Sequence, residues 1–137
     1  MKKIYILFIF ILSSNLQAIN SQNIALLAER GNPHAQYDLG LFYKNNKKDF
    51  RHAFAWMHKS ALKGYTPAQY EFALMFHYGL GVRQNSELAQ LWFSRAARRG
   101  DIRAKSILYR FYSGKKINYS AQKYHQYYSK NFRTIRR

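Results

Sequence analysis

Arginine and tyrosine are the side chains most able to do chemistry in this sequence, and the chemistry they suit is binding. Arg95, Arg98, Arg99 and Arg103 crowd around the end of one helical stretch, and Lys130, Arg133, Arg136 and Arg137 close the chain beside Tyr124, Tyr127 and Tyr128. Cations interleaved with aromatic rings can hold phosphates and stack on bases, although cations at the C-terminal end of a helix also suit its dipole. A second set is Gln36-Tyr37 and Gln69-Tyr70, two pairs in one recurring column, which Lys105 and Arg110 extend. Tyr and Arg are enriched among the residues that carry binding energy at protein interfaces. These six residues are therefore a candidate strip for a peptide. The alternative is that part of the tyrosine column packs on the next helix.

Catalytic and metal-binding residue types are present but not assembled. The histidines are His34, His52, His58, His77 and His125. They do not share a helix face at ligand spacing, and no Cys or close acidic cluster supports them. The six acidic residues are scattered, and several sit where a helix needs a cap. No Ser has a His and an acid in a nucleophilic pattern. Gly79-x-Gly81 lacks the preceding strand and the further glycines of a phosphate loop. Neither a metal nor a cofactor is expected, and an enzyme is the weakest class.

The elements that must position these residues repeat. Gly31 is followed four residues later by Ala35, Gly64 by Ala68, and Gly100 by Ala104. Ala28, Ala61 and Ala97 stand three residues before those glycines, and Ala53-x-x-Trp56 matches Ala89-x-x-Trp92. Self-similarity of this period predicts a helical repeat architecture, which makes surfaces rather than deep pockets. A leading half-repeat spans 23–31, and full units run over about 33–64 and 67–100. A degenerate unit follows over 104–128. Helix A of the first unit carries Ala35, Leu39, Phe42 and Tyr43, and that of the second Ala68, Phe72, Met75 and Phe76, each a helical stripe. Asn32, Asp49 and Asn85 are N-caps, and Gly31 is a C-terminal stop with positive φ. Trp56 and Trp92 point inward and fill the space between units. The two units differ by three residues in the loop between their helices, and no stretch has strand-like alternation.

From Ala68 to Gly100 the pattern Ala-Gln-Tyr, Tyr-Gly-Leu-Gly-Val, Ala-x-x-Trp, Ala-Ala-x-x-Gly resembles a Sel-1-like repeat, a relative of the tetratricopeptide repeat with a longer glycine-containing loop. The resemblance covers about 23–128. The first unit keeps Leu39-Gly40 and Tyr43 but lacks the Gly-x-Gly-Val loop, and the third lacks both the Trp and the closing Gly. The resemblance implies an all-α, short right-handed solenoid whose A helices line a concave face. It implies a non-catalytic adaptor binding a protein or peptide there.

Residues 1–18 have the form of a signal peptide. Lys2 and Lys3 precede an apolar run from Ile4 to Leu12, and Ala18 ends a polar, small-residue exit. The run is too short to span a bilayer, and an uncleaved N-terminal anchor is the alternative. Export to the periplasm or outside the cell is expected, with no transmembrane segment after cleavage. The chain has no Cys, so no disulfide supports it. Lys and Arg number 23 against six acids, a net charge of +17. An acidic protein partner is compatible with that charge, and an AT-rich coding bias also produces such a composition. The alternative function is polyanion binding, to nucleic acid or an anionic envelope polymer, through Arg95, Arg98, Arg99, Arg103, Lys130, Arg133 and the basic tail, 129–137. An exported protein meets little nucleic acid, which makes it the weaker partner.

Overall fold

One short turn recurs three times and sets the architecture. At each, a glycine in the left-handed region stops one helix and the next residue starts another. Gly31, Gly64 and Gly100 have φ of 93°, 84° and 96°. The N–H of each donates three residues back, to Ala28, Ala61 and Ala97, and the N–H of the following residue donates five back, to Leu27, Ser60 and Ala96. This pair of bonds is a Schellman motif, which satisfies the carbonyls a helix end leaves open. The residue after the glycine then serves as the next N-cap. Asn32 accepts from the Ala35 N–H at 3.1 Å, and Asp101 accepts from the Ala104 N–H at 3.1 Å. Tyr65, in the same place, caps without a side-chain bond.

The computed structural model describes residues 22–114. A leading helix α1 covers 22–29. It is followed by α2 (Pro33–Asn45), α3 (Phe50–Leu62), α4 (Thr66–Tyr78), α5 (Ser86–Arg98) and α6 (Ile102–Tyr112). Among the described residues there is no strand. Each helix packs on its sequence neighbour: α2 on α3, α3 on α4, α4 on α5, α5 on α6. The result is an all-α solenoid of helical hairpins. The expected leader (1–18), the second half of the third unit and the basic tail with Lys130 and Arg133 lie outside the described residues.

Inside each hairpin the two loops are built differently. The first is short, 46–49, and Lys48 there takes a left-handed φ of 55°. Asp49 then caps α3, accepting from the His52 N–H at 3.1 Å. The second spans 79–85, with Gly79 and Gly81 at φ of 73° and 70°, and Asn85 caps α5 by accepting from Leu88 at 3.0 Å. Gly81 is required for a second reason. A Cβ on it would lie 2.1 Å from the Phe50 carbonyl oxygen, so this loop presses on the start of α3 in the preceding hairpin.

The core sits where α3, α4 and α5 meet. Phe54 and Phe72 rings lie 4.8 Å apart, Phe72 and Phe76 5.0 Å, and Phe72 and Trp92 5.0 Å, at tilted or edge-on angles. Such geometries place a positive ring edge on a negative face. Ala35, Ala68 and Ala104 are all buried, as the repeat demands. Trp92 is fully buried.

Trp56 corrects the expectation for its column. It is only half-buried, and the ammonium of Lys59 lies over its ring at 3.9 Å. Phe54 and Met57 face the core instead. The ring that Trp92 packs on is Phe72, and the matching position on α2 is the smaller Leu39, so Trp56 has no aromatic wall to settle against. Phe42, read as part of the core stripe of the first helix A, is likewise 40% exposed.

Candidate functional site

The two Gln-Tyr pairs divide. Gln36 and Gln69 are each 4% exposed, so their side chains are not available on a surface strip. Gln36 Nε2 donates to the Ala28 carbonyl at 3.0 Å, and Gln69 Nε2 to the Ala61 carbonyl at 3.2 Å. Each amide thus ties the first turn of an A helix to the last turn of the helix before it. Each of those carbonyls also accepts from the closing glycine N–H, and its second lone pair takes the amide, which draws the glutamine inward. In both glutamines Oε1 is buried and finds no partner among the described residues. Lys105, the third member of this column, is exposed and makes no such bond.

Tyr37 and Tyr70 are half-buried, and each is braced by the next unit. Tyr65 meets Tyr37 edge-on at 5.3 Å, and the Arg103 guanidinium lies over Tyr70 at 4.1 Å. Burial raises both phenol pKa values, for Tyr37 with help from Glu71. Arg103 is itself fixed by Asp101, its Nη2 2.8 Å from Oδ2. Burial alone would push the Asp101 carboxyl up, but hydrogen bonds from the Arg103 side chain and the Ala104 N–H outweigh it and hold the pKa low. Beside this group Lys44 of α2 pairs with Glu71 of α4 at 2.6 Å, linking successive A helices. The result is an aromatic, mixed-charge strip with its rotamers held. Lys105 and Arg110 do not join it. They line a separate open cleft of about 980 Å³ on α6, with Ser106, Tyr109 and Ser113.

The arginines divide as well. Arg95, Arg98 and Arg99 lie together at the end of α5, but Arg103 belongs to the tyrosine strip. The three line a cleft of about 370 Å³ whose opposite wall is Ala61, Leu62, Lys63 and Gly64 at the end of α3. Arg99 Nη1 donates to the Gly64 carbonyl at 3.1 Å, and one unit earlier Lys63 donates to the Gly31 carbonyl. A cation at the end of each B helix thus reaches the closing glycine of the previous unit. Sequence reasoning placed Arg95, Arg98 and Arg99 but missed Lys63. The signal for it was present, since Lys63 and Arg99 each stand immediately before a repeat glycine.

His77 Nδ1 and the Tyr112 hydroxyl are 2.7 Å apart, joining α4 to α6. His58 is packed on Phe72, and burial lowers its pKa to about 4. Among the described residues no three His, Asp or Glu side chains are grouped to hold a metal ion. No helix there is long and apolar enough to cross a membrane.

The family model described as Sel1 repeat matches residues 33–65 and 66–101. A Sel1 repeat protein from Oxalobacter formigenes is 34% identical, with a TM-score of 0.62 over 63% of this chain and 67% of that one. A protective antigen of uropathogenic Escherichia coli strains, of SLR fold, is 33% identical with a TM-score of 0.60, over 65% of this chain and 20% of that one. Chitin synthase regulatory factor 3 of Schizosaccharomyces pombe is 38% identical over 69 residues, half of this chain and 7% of that protein.

Proposed function

The chain belongs to the Sel1 repeat family, whose repeats are generally protein-interaction modules, and from that premise we propose an exported, non-catalytic adaptor that grips a protein or peptide on the strip formed by its A helices. The observation that carries the reading is the pair Tyr37 and Tyr70. Two successive units offer the same ring at the same place, each held by a neighbour, Tyr65 or Arg103. A pre-fixed aromatic loses little rotamer entropy on binding, and Tyr and Arg are the side chains that hot spots favour. We keep Tyr37, Tyr70 and Arg103 in this strip, and leave Gln36 and Gln69 to the scaffold.

The test is a pull-down from envelope extract with wild type and with Tyr37→Ala/Tyr70→Ala. Loss of a discrete protein partner in a variant that still unfolds cooperatively supports the adaptor. Recovery of nucleic acid or anionic polymer alone overturns it. Export is tested separately: a mature N-terminus near Ile19 outside the cytoplasm supports it, and a cytosolic pool that begins at Met1 does not. Polyanion binding is the second reading, favoured by the grouping of Arg95, Arg98 and Arg99 in one cleft. It requires affinity that falls steeply with salt and ignores the tyrosine pair.

A further inference from the structure

We infer that the cleft between the ends of α3 and α5 is a carboxylate-binding site for an acidic peptide segment that carries an aliphatic side chain. The inference rests on the protein-binding reading and adds a second contact point to it.

Charge comes first. Lys63, Arg95, Arg98 and Arg99 line the cleft, and among the described residues none that lines it is acidic. In a chain with six acids against 23 cations, the strip on the A helices has Glu71 and Asp101 to balance it, and neither of these lines the cleft. Two of its cations are held by neutral groups. Lys63 donates to the Gly31 carbonyl and Arg99 to that of Gly64. Such anchors fix the side chains without cancelling their charge. A guanidinium has five N–H donors, so Arg99 keeps most of its donors after its bond to Gly64. Arg95 is held against the Trp92 ring at 4.5 Å. Planar donors held in place are what bidentate capture of a carboxylate needs.

The other walls choose among anions. Leu62, 55% exposed, forms an aliphatic lip, and buried Gln69 closes part of the wall. Among the described residues, none that lines the cleft is aromatic. Single-stranded nucleic acid draws affinity from base stacking on aromatic rings along an extended groove, and this cleft provides neither. Its volume of about 370 Å³ suits one or two side chains. An acidic side chain facing the arginines, with a leucine-like neighbour on Leu62, uses every wall.

The experiment uses fluorescence anisotropy with the full chain and a fluorescein-labelled peptide of sequence Gly-Leu-Asp-Glu-Leu-Gly, at fixed moderate salt. Arg98→Gln and Lys63→Met should each weaken binding roughly 3- to 10-fold, and Leu62→Ser about 3-fold. Arg83→Gln and Arg110→Gln remove the same charge elsewhere and should leave affinity within about 2-fold. The Asn/Gln version of the peptide should not bind. Equal losses from Arg83→Gln and Arg110→Gln would mean diffuse attraction to net charge and overturn the site. Displacement by polyphosphate with no effect of Leu62→Ser would make it a polyanion groove and also overturn the inference. The adaptor reading fails by a different route, since it depends on the Tyr37/Tyr70 variant in the pull-down. That variant should bind this peptide normally.

Discussion

Trp56 and Trp92 occupy the same column of the two hairpins and live in different surroundings. Trp92 is fully buried against Phe72, whereas Trp56 is only partly buried, under Lys59. The hairpins differ in the same sense elsewhere. The second loop presses Gly81 onto Phe50 of the hairpin before it, while the first turns on Lys48 with no Cβ demand of that kind. The second hairpin is thus wedged against a complete neighbour, and the first has only α1 behind it. Position within the stack, more than the repeated residue itself, sets how much each copy contributes.

The largest effect that bears on this contrast is at the tryptophans. Trp92→Ala should cost about 3–5 kcal/mol, as large aromatic deletions in a core do. Trp56→Ala should cost only about 1 kcal/mol, mostly the lost packing and cation–π contact. Urea unfolding of both variants decides it, and equal losses would break the comparison. Next comes the loop. Gly81→Ala should cost about 2–3 kcal/mol, from strained φ together with the collision with Phe50. Lys48→Gly should instead raise stability by up to about 1 kcal/mol by relieving a left-handed non-glycine.

A pH series sharpens the contrast at His58, whose counterpart on α5 is Ser94. Burial holds the folded His58 pKa at about 4, while an unfolded His titrates near 6.5. Between those values the unfolded chain binds the proton and the folded one does not. Stability is therefore full above about pH 6.5 and falls as pH drops towards 4, by on the order of 2–3 kcal/mol. His58→Ser should flatten that slope, and an unchanged slope would refute the assignment. Asp49 acts in a lower window. Its carboxyl is held low by the His52 N–H and then the His52 ring, so its contribution is lost only as pH falls below the ordinary carboxylate value.

The smallest expected effect is at the amide ties. Gln69→Leu and Gln36→Leu should each cost about 0.5–1 kcal/mol, since each removes one hydrogen bond from a carbonyl that keeps its glycine N–H partner. Gln69 should be the more costly of the two, because its tie joins two complete hairpins and that of Gln36 reaches only α1. The reverse order would count against a stack tightened from both sides.

Much of this was legible in advance for reasons of short range. Gly31, Gly64 and Gly100 mark chain reversals because a left-handed residue is needed within one turn of a helix end, and Asn32, Asp49 and Asn85 cap because their partners lie three residues on. The all-α class follows from the stripes on α2 and α4 for the same reason. Gln36 and Gln69 were misplaced because an amide's direction depends on a carbonyl in the helix before it. The inward reading of Trp56 failed because the wall it needs, a ring at position 39, belongs to another helix.

By itself, then, the sequence determined where helices start and stop and that hairpins repeat, since caps and left-handed glycines act between residues within one turn. Only the tertiary structure decided which copies of a repeated residue are buried and where the cations gather. Lys63 and Arg99 share a cleft because stacking brings the ends of α3 and α5 together, and Arg103 leaves that group because Asp101 and the Tyr70 ring hold it on the other strip. Burial and local field depend on atoms that are distant in the chain and adjacent in space, and no local pattern encodes that distance.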